Sequence, residues 1–165
     1  YRLKNFGIRN EEVVDSVGAN AKMNEFQAAM GICNLRHVEE EIEKRKRIVS
    51  CYRECLKDIR GIRFMKEQEN VKSNYAYFPI LIEKSEFGIS RDCVYDLLKE
   101  KGIYTRKYFY PLTNSFACYK DQYDVKETPV ALDVSKKVLT LPLYADLALE
   151  DVYRICDNIK ALGGK

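Results

Sequence analysis

The chain has 165 residues, and its 28 basic and 25 acidic side chains leave a formal net charge of +3, which gives no reason to expect nucleic acid or an anionic membrane as a partner. Its six cysteines include no CxxC pair and its one histidine is His37, so the spacing offers no zinc site and no metal is expected. Because the sequence carries no signal peptide and no apolar run of membrane length, we expect reduced thiols and a cytoplasmic location.

The first predicted elements are a helix end and a polar loop. Residues 1–6 are predicted to end a helix that begins upstream, with Gly7 directly after its C-terminus, and residues 8–17 to form the loop. The chain starts at Tyr1 without an initiator Met, inside a predicted element. We therefore expect it to be a piece of a longer protein.

A very long helix is predicted over residues 23–60. Apolar or small residues recur from Ala28 to Ile59 at spacings that alternate between three and four, which is typical of a helix with a narrow buried seam. At 1.5 Å per residue this helix would be roughly 55 Å long. We expect its two ends to belong to different structural units, although a solvated coiled-coil arm would have the same periodicity.

A small α/β domain is predicted after the long helix. Ser90 and Pro129 are expected to begin two of its helices, and Gly102 to follow the end of the first. The predicted strands cover residues 62–65, 75–82, 103–108 and 138–143, and the predicted helices cover residues 90–101, 128–137 and 149–162. This order predicts a small sheet, mixed or antiparallel, with helices packed on one face.

Residues with catalytic chemistry are few. A single histidine excludes a Ser-His-Asp arrangement, and the chain contains neither a Walker loop nor GxGxxG. Asn20 and Lys22 directly precede the long helix, where free N–H groups favour an anion such as phosphate. The alternative, which the residues alone favour, is that Asn20 only caps the helix.

A second polar cluster covers residues 104–111. Its aromatic and cationic residues alternate, and such residues can stack on and neutralise a nucleotide or a sugar phosphate. A half-buried strand with Arg106 and Lys107 facing outward explains the same pattern equally well.

Four segments carry a resemblance to a known family. They are residues 3–7, 17–29, 110–112 and 138–144. In this order they resemble the DegT/StrS family of nucleotide-sugar aminotransferases, which are pyridoxal-phosphate enzymes of the fold-type I aspartate aminotransferase superfamily. The segment from 18 to 29 is the most specific of the four, and the resemblance spans nearly the whole chain.

The resemblance implies an α/β chain that forms the C-terminal part of such an enzyme. Residues 1–30 would be the tail of the large cofactor-binding domain, residues 23–60 the interdomain helix, and residues 61–165 the small C-terminal α/β domain. In the family the Schiff-base lysine lies upstream of the position of Tyr1, and Lys22 belongs to a different motif. We therefore expect no catalytic residue in this chain and no activity from it in isolation.

Site residues follow from the resemblance residue by residue. Asn20 is expected to reach the phosphate of pyridoxal 5′-phosphate in the neighbouring subunit, which implies a homodimer with shared active sites. Six residues are expected to contact the substrate: Asn5, Phe6, Lys22, Arg106, Tyr108 and Tyr110. Many relatives have His after Pro-Leu where this chain has Thr113, so no sugar contact is transferred to that position.

The implied activity is transfer of an amino group, with glutamate as the donor, to a keto-sugar nucleotide in surface-polysaccharide or amino-sugar biosynthesis. Two alternatives stay open. A sugar dehydratase of the same family would carry His in place of the lysine, and that position is not in this sequence. A dimerisation or binding module without catalysis would need no lysine at all.

Overall fold

The computed structural model describes residues 2–119 and 121–163, and the chain divides into two compact units, Tyr1–Glu40 and Glu41–Lys165. The six α-helices of the described residues are α1 (Glu25–Leu35), α2 (Val38–Leu56), α3 (Lys84–Phe87), α4 (Arg91–Glu100), α5 (Pro129–Lys137) and α6 (Leu149–Leu162). The three strands are β1 (Ile62–Phe64), β2 (Phe78–Ile82) and β3 (Val138–Leu141). The predicted α/β class is confirmed.

Helix α1 begins with a complete capping box at Asn24. The Asn24 side chain accepts a hydrogen bond from the Gln27 backbone N–H at 2.9 Å, and the Gln27 side chain accepts one from the Asn24 N–H at 3.0 Å. Asn24 therefore caps the helix, and the interpretation of Asn20 as its cap is wrong. Asn20 instead pairs with Asn5, as described below.

The continuous helix predicted over residues 23–60 is two helices, α1 and α2. Between them Arg36 and His37 donate backbone hydrogen bonds to carbonyls three residues earlier, at 3.2 and 3.0 Å, which is a tighter turn than that of an α-helix. Asn34 precedes this turn, and asparagine is a weak helix former because its amide competes for backbone groups. The apolar spacing continues across the break, so periodicity could not reveal it.

The sheet is small and antiparallel, in the order β1-β2-β3. Ile62 pairs with Ile82, and Phe78 pairs with Leu141. Buried and half-buried residues alternate along β2, so one face of this strand packs on the core. All four residues of β3 are buried, so both faces of β3 are covered.

The strand predicted over residues 103–108 is wrong, because only Arg106 pairs with β3. Its N–H donates to the Thr140 carbonyl at 3.0 Å, and the Thr140 N–H donates back at 2.7 Å. On one side the next pair would need an N–H from Pro142, which has none. On the other side the Val138 carbonyl already accepts a hydrogen bond from the Arg91 guanidinium at 2.7 Å.

The helix boundaries of the second unit follow the local signals. The Ser90 hydroxyl accepts a hydrogen bond from the Cys93 N–H at 3.3 Å and caps α4. Gly102 follows α4 with φ of +72°, a conformation that glycine adopts without strain. Pro129 opens α5, and α6 has the predicted bounds.

One hydrophobic core joins α2, the sheet, α4 and α6. Tyr52 of α2 is fully buried, its ring stacks on Phe78 with centroids 5.2 Å apart, and its hydroxyl donates to the Pro142 carbonyl at 3.0 Å. This burial raises the pKa of Tyr52 far above its ordinary value. Tyr52 therefore connects α2 to the segment directly after β3.

We expect Leu98→Ala to lower the free energy of unfolding by roughly 2–5 kcal/mol, because it removes a fully buried side chain and leaves a cavity. Leu97 is the matched control, since it belongs to the same helix and is 37% exposed. Leu97→Ala should cost much less. Urea unfolding followed by circular dichroism measures both, and equal losses would contradict this description of the core.

Candidate functional site

The residues singled out by the sequence fall into two clusters, one in each unit. The first cluster contains Asn5, Phe6, Asn20 and Lys22. The second contains Arg106, Tyr108 and Tyr110. Each cluster is described by itself.

An antiparallel bridge places Asn5 opposite Asn20, although fifteen positions separate them in the sequence. Asn5 is half-buried and Asn20 is exposed. Two backbone hydrogen bonds of 2.9 Å flank the bridge, from Ala19 to Leu3 and from Ala21 to Lys4. The bridge therefore joins two segments that the sequence could only consider separately.

The turn after Asn5 requires glycine at position 7. Gly7 has φ of +74°, and a Cβ atom there would lie 1.6 Å from the Ser16 carbonyl oxygen, so any side chain would collide with the backbone. Phe6 also has a positive φ, of 54°. This close approach of the two segments shapes the backbone on which Asn5 and Phe6 are placed.

Lys22 lies over the face of Phe6, with its ammonium nitrogen 5.5 Å from the ring centroid. No carboxylate of the described residues pairs with Lys22. The first cluster thus combines two amides, one aromatic ring and an ammonium group with no counter-ion. Such a set of donors suits an anion such as phosphate.

In the second cluster, the guanidinium of Arg106 donates a hydrogen bond to the Tyr108 hydroxyl and lies 5.3 Å from the centroid of that ring. Tyr108 also contacts Tyr77 edge to face, with centroids 5.6 Å apart and planes at 89°. In the part of the chain that the structure covers, no carboxylate pairs with Arg106. Aromatic and cationic residues alternate in this segment as predicted, but they line a cavity and do not form a strand.

Lys107, the other cation of this segment, is neutralised. Its ammonium lies 2.5 Å from the Asp92 carboxylate and 4.4 Å from the centroid of Tyr95. The hydrogen bond from Lys107, followed by the charge of Arg91, holds the pKa of Asp92 below its ordinary value. Arg106 is therefore the cation of this segment that is available to an anionic ligand.

Tyr110 is placed by a different cation. Its ring lies 5.0 Å from the guanidinium of Arg91, which is only 2% exposed and donates to the carbonyls of Ser135 and Val138 at 3.1 and 2.7 Å. Tyr110 and Tyr108 both line a cavity of about 330 Å³ beside α4. The guanidinium of Arg91, held by these two hydrogen bonds, thus supports the ring of Tyr110.

A second cavity, of about 280 Å³, lies beside β3. Arg106 and Tyr108 form one part of its wall, together with Tyr77, Tyr104 and Thr140. The sequence did not indicate Tyr77 or Thr140 as site residues, because both fall within predicted strands, residues 75–82 and 138–143. No local pattern marks either residue, because Thr140 meets Arg106 through backbone pairing and Tyr77 meets Tyr108 through a ring contact, and both contacts are long-range.

Within residues 2–119 and 121–163, no helix combines the length and apolar character needed to cross a bilayer. In the same residues, no three His, Cys, Asp or Glu side chains converge as metal ligands would.

Residues 1–160 match the model of the DegT/DnrJ/EryC1/StrS aminotransferase family. The chain is 47% identical over 156 residues to a dTDP-4-amino-4,6-dideoxy-D-glucose transaminase of Escherichia coli, which covers 93% of this chain and 42% of that protein. A transaminase of the same description from Shigella dysenteriae is 37% identical, over 98% of this chain and 44% of its own length.

Among solved structures, a crystal structure of DesI in the presence of its TDP-sugar product matches with a TM-score of 0.85 at 31% identity. The match covers 97% of this chain and 41% of DesI. The chain thus spans about two fifths of the length of the relatives that it matches.

We expect the ion pairs of Asp92 with Lys107 and with Arg91 to stabilise the folded chain at neutral pH and to lose this effect in acid. Because the pKa of Asp92 is lowered in the folded state, the stabilisation is present above its ordinary value of 3.8 and disappears as the pH falls through the folded-state value. Asp92→Asn should remove that part of the pH dependence, measured by urea unfolding between pH about 2 and 6. Asp96→Asn, at an exposed position of the same helix, is the control. Equal pH profiles for the two variants would contradict the assignment.

Proposed function

Since this chain belongs to the DegT/DnrJ/EryC1/StrS aminotransferase family, we propose that it is the C-terminal part of a pyridoxal-phosphate-dependent nucleotide-sugar aminotransferase. The proposed reaction transfers an amino group from glutamate to the 4-keto sugar that corresponds to dTDP-4-amino-4,6-dideoxy-D-glucose. The identity of 47% to a transaminase of that product, over 93% of this chain, supports the choice of sugar. The pathway class is amino-sugar or surface-polysaccharide biosynthesis.

The observation that carries this proposal is the bridge between Asn5 and Asn20. It places the two asparagines opposite each other, and the Lys22 ammonium, which pairs with no carboxylate of the described residues, lies over the ring of Phe6. In the proposed site the Asn20 amide donates to the cofactor phosphate, and Lys22 neutralises part of its charge. Asn5 and Phe6 line the substrate side of the same cluster.

The chemistry that pyridoxal phosphate supplies when bound is that of an electron sink which carries the amino group from donor to acceptor. The residues of this chain bind and orient the cofactor and the substrate. Asn20 and Lys22 hold the phosphate end, and Arg106, Tyr108 and Tyr110 contact the sugar nucleotide. The lysine that would hold the cofactor covalently is proposed to lie upstream, so residues 1–165 alone should transfer no amino group.

We further propose a homodimer in which Asn20 serves the active site of the neighbouring subunit. Support comes from the surface of α1, none of whose residues is buried. Phe26 is 89% exposed and Leu35 is 71% exposed, and apolar side chains so uncovered are typical of a surface that binds a partner. A cytoplasmic location is proposed from the six free thiols.

The full-length protein should convert glutamate and the dTDP-linked 4-keto-6-deoxy sugar to 2-oxoglutarate and the 4-amino sugar when pyridoxal phosphate is present. Mass spectrometry with 15N-labelled glutamate measures the transfer, and residues 1–165 alone are the control. Loss of water from the sugar without nitrogen transfer would favour the dehydratase alternative. A protein that neither binds the cofactor nor turns over would favour the binding module.

In the full-length protein, Asn20→Asp should weaken pyridoxal phosphate binding by about tenfold or more, because it replaces a donor to a phosphate by a carboxylate that repels it. Asn70→Asp is the matched control, since it introduces the same charge at an exposed turn outside α1 and outside both clusters. Titration of cofactor absorbance against cofactor concentration measures both affinities. Equal affinities for the two variants would remove Asn20 from the site.

A further inference from the structure

We propose that Arg91 is a positioning residue for the acceptor, the sugar nucleotide that receives the amino group: it holds the Tyr110 ring where that ring meets the acceptor. The inference rests on the proposed function, in which Tyr110 contacts the sugar nucleotide, and deepens it. Arg91 begins α4 and lines neither of the two cavities described above. It therefore acts through Tyr110 and not by contact with the substrate.

The segment that carries Tyr110 has little support from the backbone. Its link to the sheet is the pair of hydrogen bonds between Arg106 and Thr140, of 3.0 and 2.7 Å. Within the described residues, positions 107–111 make no backbone–backbone hydrogen bond and belong to no helix or strand. The place of the Tyr110 ring therefore depends on the side chain against which the ring packs.

The guanidinium of Arg91 is the cation against which the Tyr110 ring packs. Its central carbon lies over the ring, 5.0 Å from the centroid. Arg91 is only 2% exposed, and a cation attracts an aromatic face more strongly when water is excluded from it. Tyr110 is 52% exposed, so the supported ring still presents surface to a ligand.

The guanidinium of Arg91 is itself fixed by three hydrogen bonds. One terminal nitrogen donates to the carbonyls of Ser135 and Val138, at 3.1 and 2.7 Å, and Nε donates to the Asp92 carboxylate at 2.9 Å. A group that is ordered before binding loses less entropy when the ligand arrives. Arg91 thus gives an otherwise weakly held ring the rigidity of the core.

This arrangement requires arginine at position 91. A guanidinium is planar, so it can donate to acceptors that lie in its plane while its face packs on an aromatic ring. A lysine ammonium carries the same charge but has no such face. Arg91→Lys therefore keeps the buried charge and removes the surface that supports Tyr110.

The test uses the full-length protein loaded with pyridoxal phosphate, with the dTDP-linked 4-keto-6-deoxy sugar as the acceptor. Arg91→Lys should raise the KM for the acceptor about threefold to tenfold and leave kcat within about twofold, because the weakened contact serves substrate and transition state alike. The absorbance response of the bound cofactor to glutamate should not change. An unchanged acceptor KM would overturn the inference, and so would an equal loss for acceptor and glutamate, which a general structural defect produces.

A double-mutant cycle tests whether Arg91 acts through the ring. Tyr110→Leu alone should raise the acceptor KM at least as much as Arg91→Lys does. In the Tyr110→Leu background, Arg91→Lys should add no further increase, because the ring on which it acts is gone. Additive increases would show that Arg91 acts by another route and would overturn the inference.

Changes to the ring alone keep the test decisive if Arg91→Lys does not fold. Tyr110→Phe retains the aromatic face and should keep the acceptor KM within about twofold. Fluorinated phenylalanines at position 110 should raise this KM with each added fluorine, because fluorine weakens the attraction between the ring face and the cation. A KM that rises as much in Tyr110→Phe as in Tyr110→Leu, or that ignores the number of fluorines, would overturn the inference.

Two matched surface substitutions serve as controls. Arg60→Lys changes an exposed arginine and Tyr153→Leu an exposed tyrosine, and neither residue lines the two cavities. Both variants should have the acceptor KM of the unchanged protein. A raised KM in either control would mean that the loss in the test variants does not come from the contact between Arg91 and Tyr110, which would contradict the inference.

The reaction with glutamate alone separates this inference from the proposed function. If the absorbance of the bound cofactor does not respond to glutamate in the unchanged protein, the proposed function fails. If it responds, and Arg91→Lys has the acceptor KM of the unchanged protein, the inference is wrong and the function stands.

Discussion

The guanidinium of Arg91 is almost completely buried and donates to the carbonyls of Ser135 and Val138, at the end of α5 and the start of β3. Burying a charged group costs several kcal/mol of folding free energy unless its donors are hydrogen-bonded. The hydrogen bonds of Arg91 therefore hold α4, α5 and β3 together. The same guanidinium supports the ring of Tyr110. The Val138 carbonyl accepts from Arg91 and the Val138 N–H donates to the Val134 carbonyl, so the pairing of residues 104–108 with β3 stops at Arg106.

Local chemistry was enough to predict much of the fold. The start of α4 at Ser90, the proline at the start of α5 and the bounds of α6 each depend on a few neighbouring residues. The break between α1 and α2 was not predicted, because a turn whose hydrogen bonds join residues three apart leaves the apolar spacing unchanged. The strand expected near Arg106 failed for a non-local reason, since its partners had already been taken.

The candidate site was predictable only in part. Residues alone favoured Asn20 as a helix cap, and the family resemblance pointed to phosphate; the capping box at Asn24 removes the first interpretation. The pairing of Asn20 with Asn5 needed a structure, because no local pattern links them. Tyr77 and Thr140 gave no signal at all, since a strand pattern describes them equally well.

The pairing of Arg106 with Thr140 has a consequence for solubility. The outer side of β3 would otherwise present unpaired N–H and C=O groups, and such sheet edges can recruit strands from other molecules and start aggregation. Arg106 occupies that edge at Thr140, and Arg91 occupies it at Val138. The backbone of residue 106 therefore shields the sheet edge whatever its side chain, and only proline at this position would remove the N–H that pairs with Thr140.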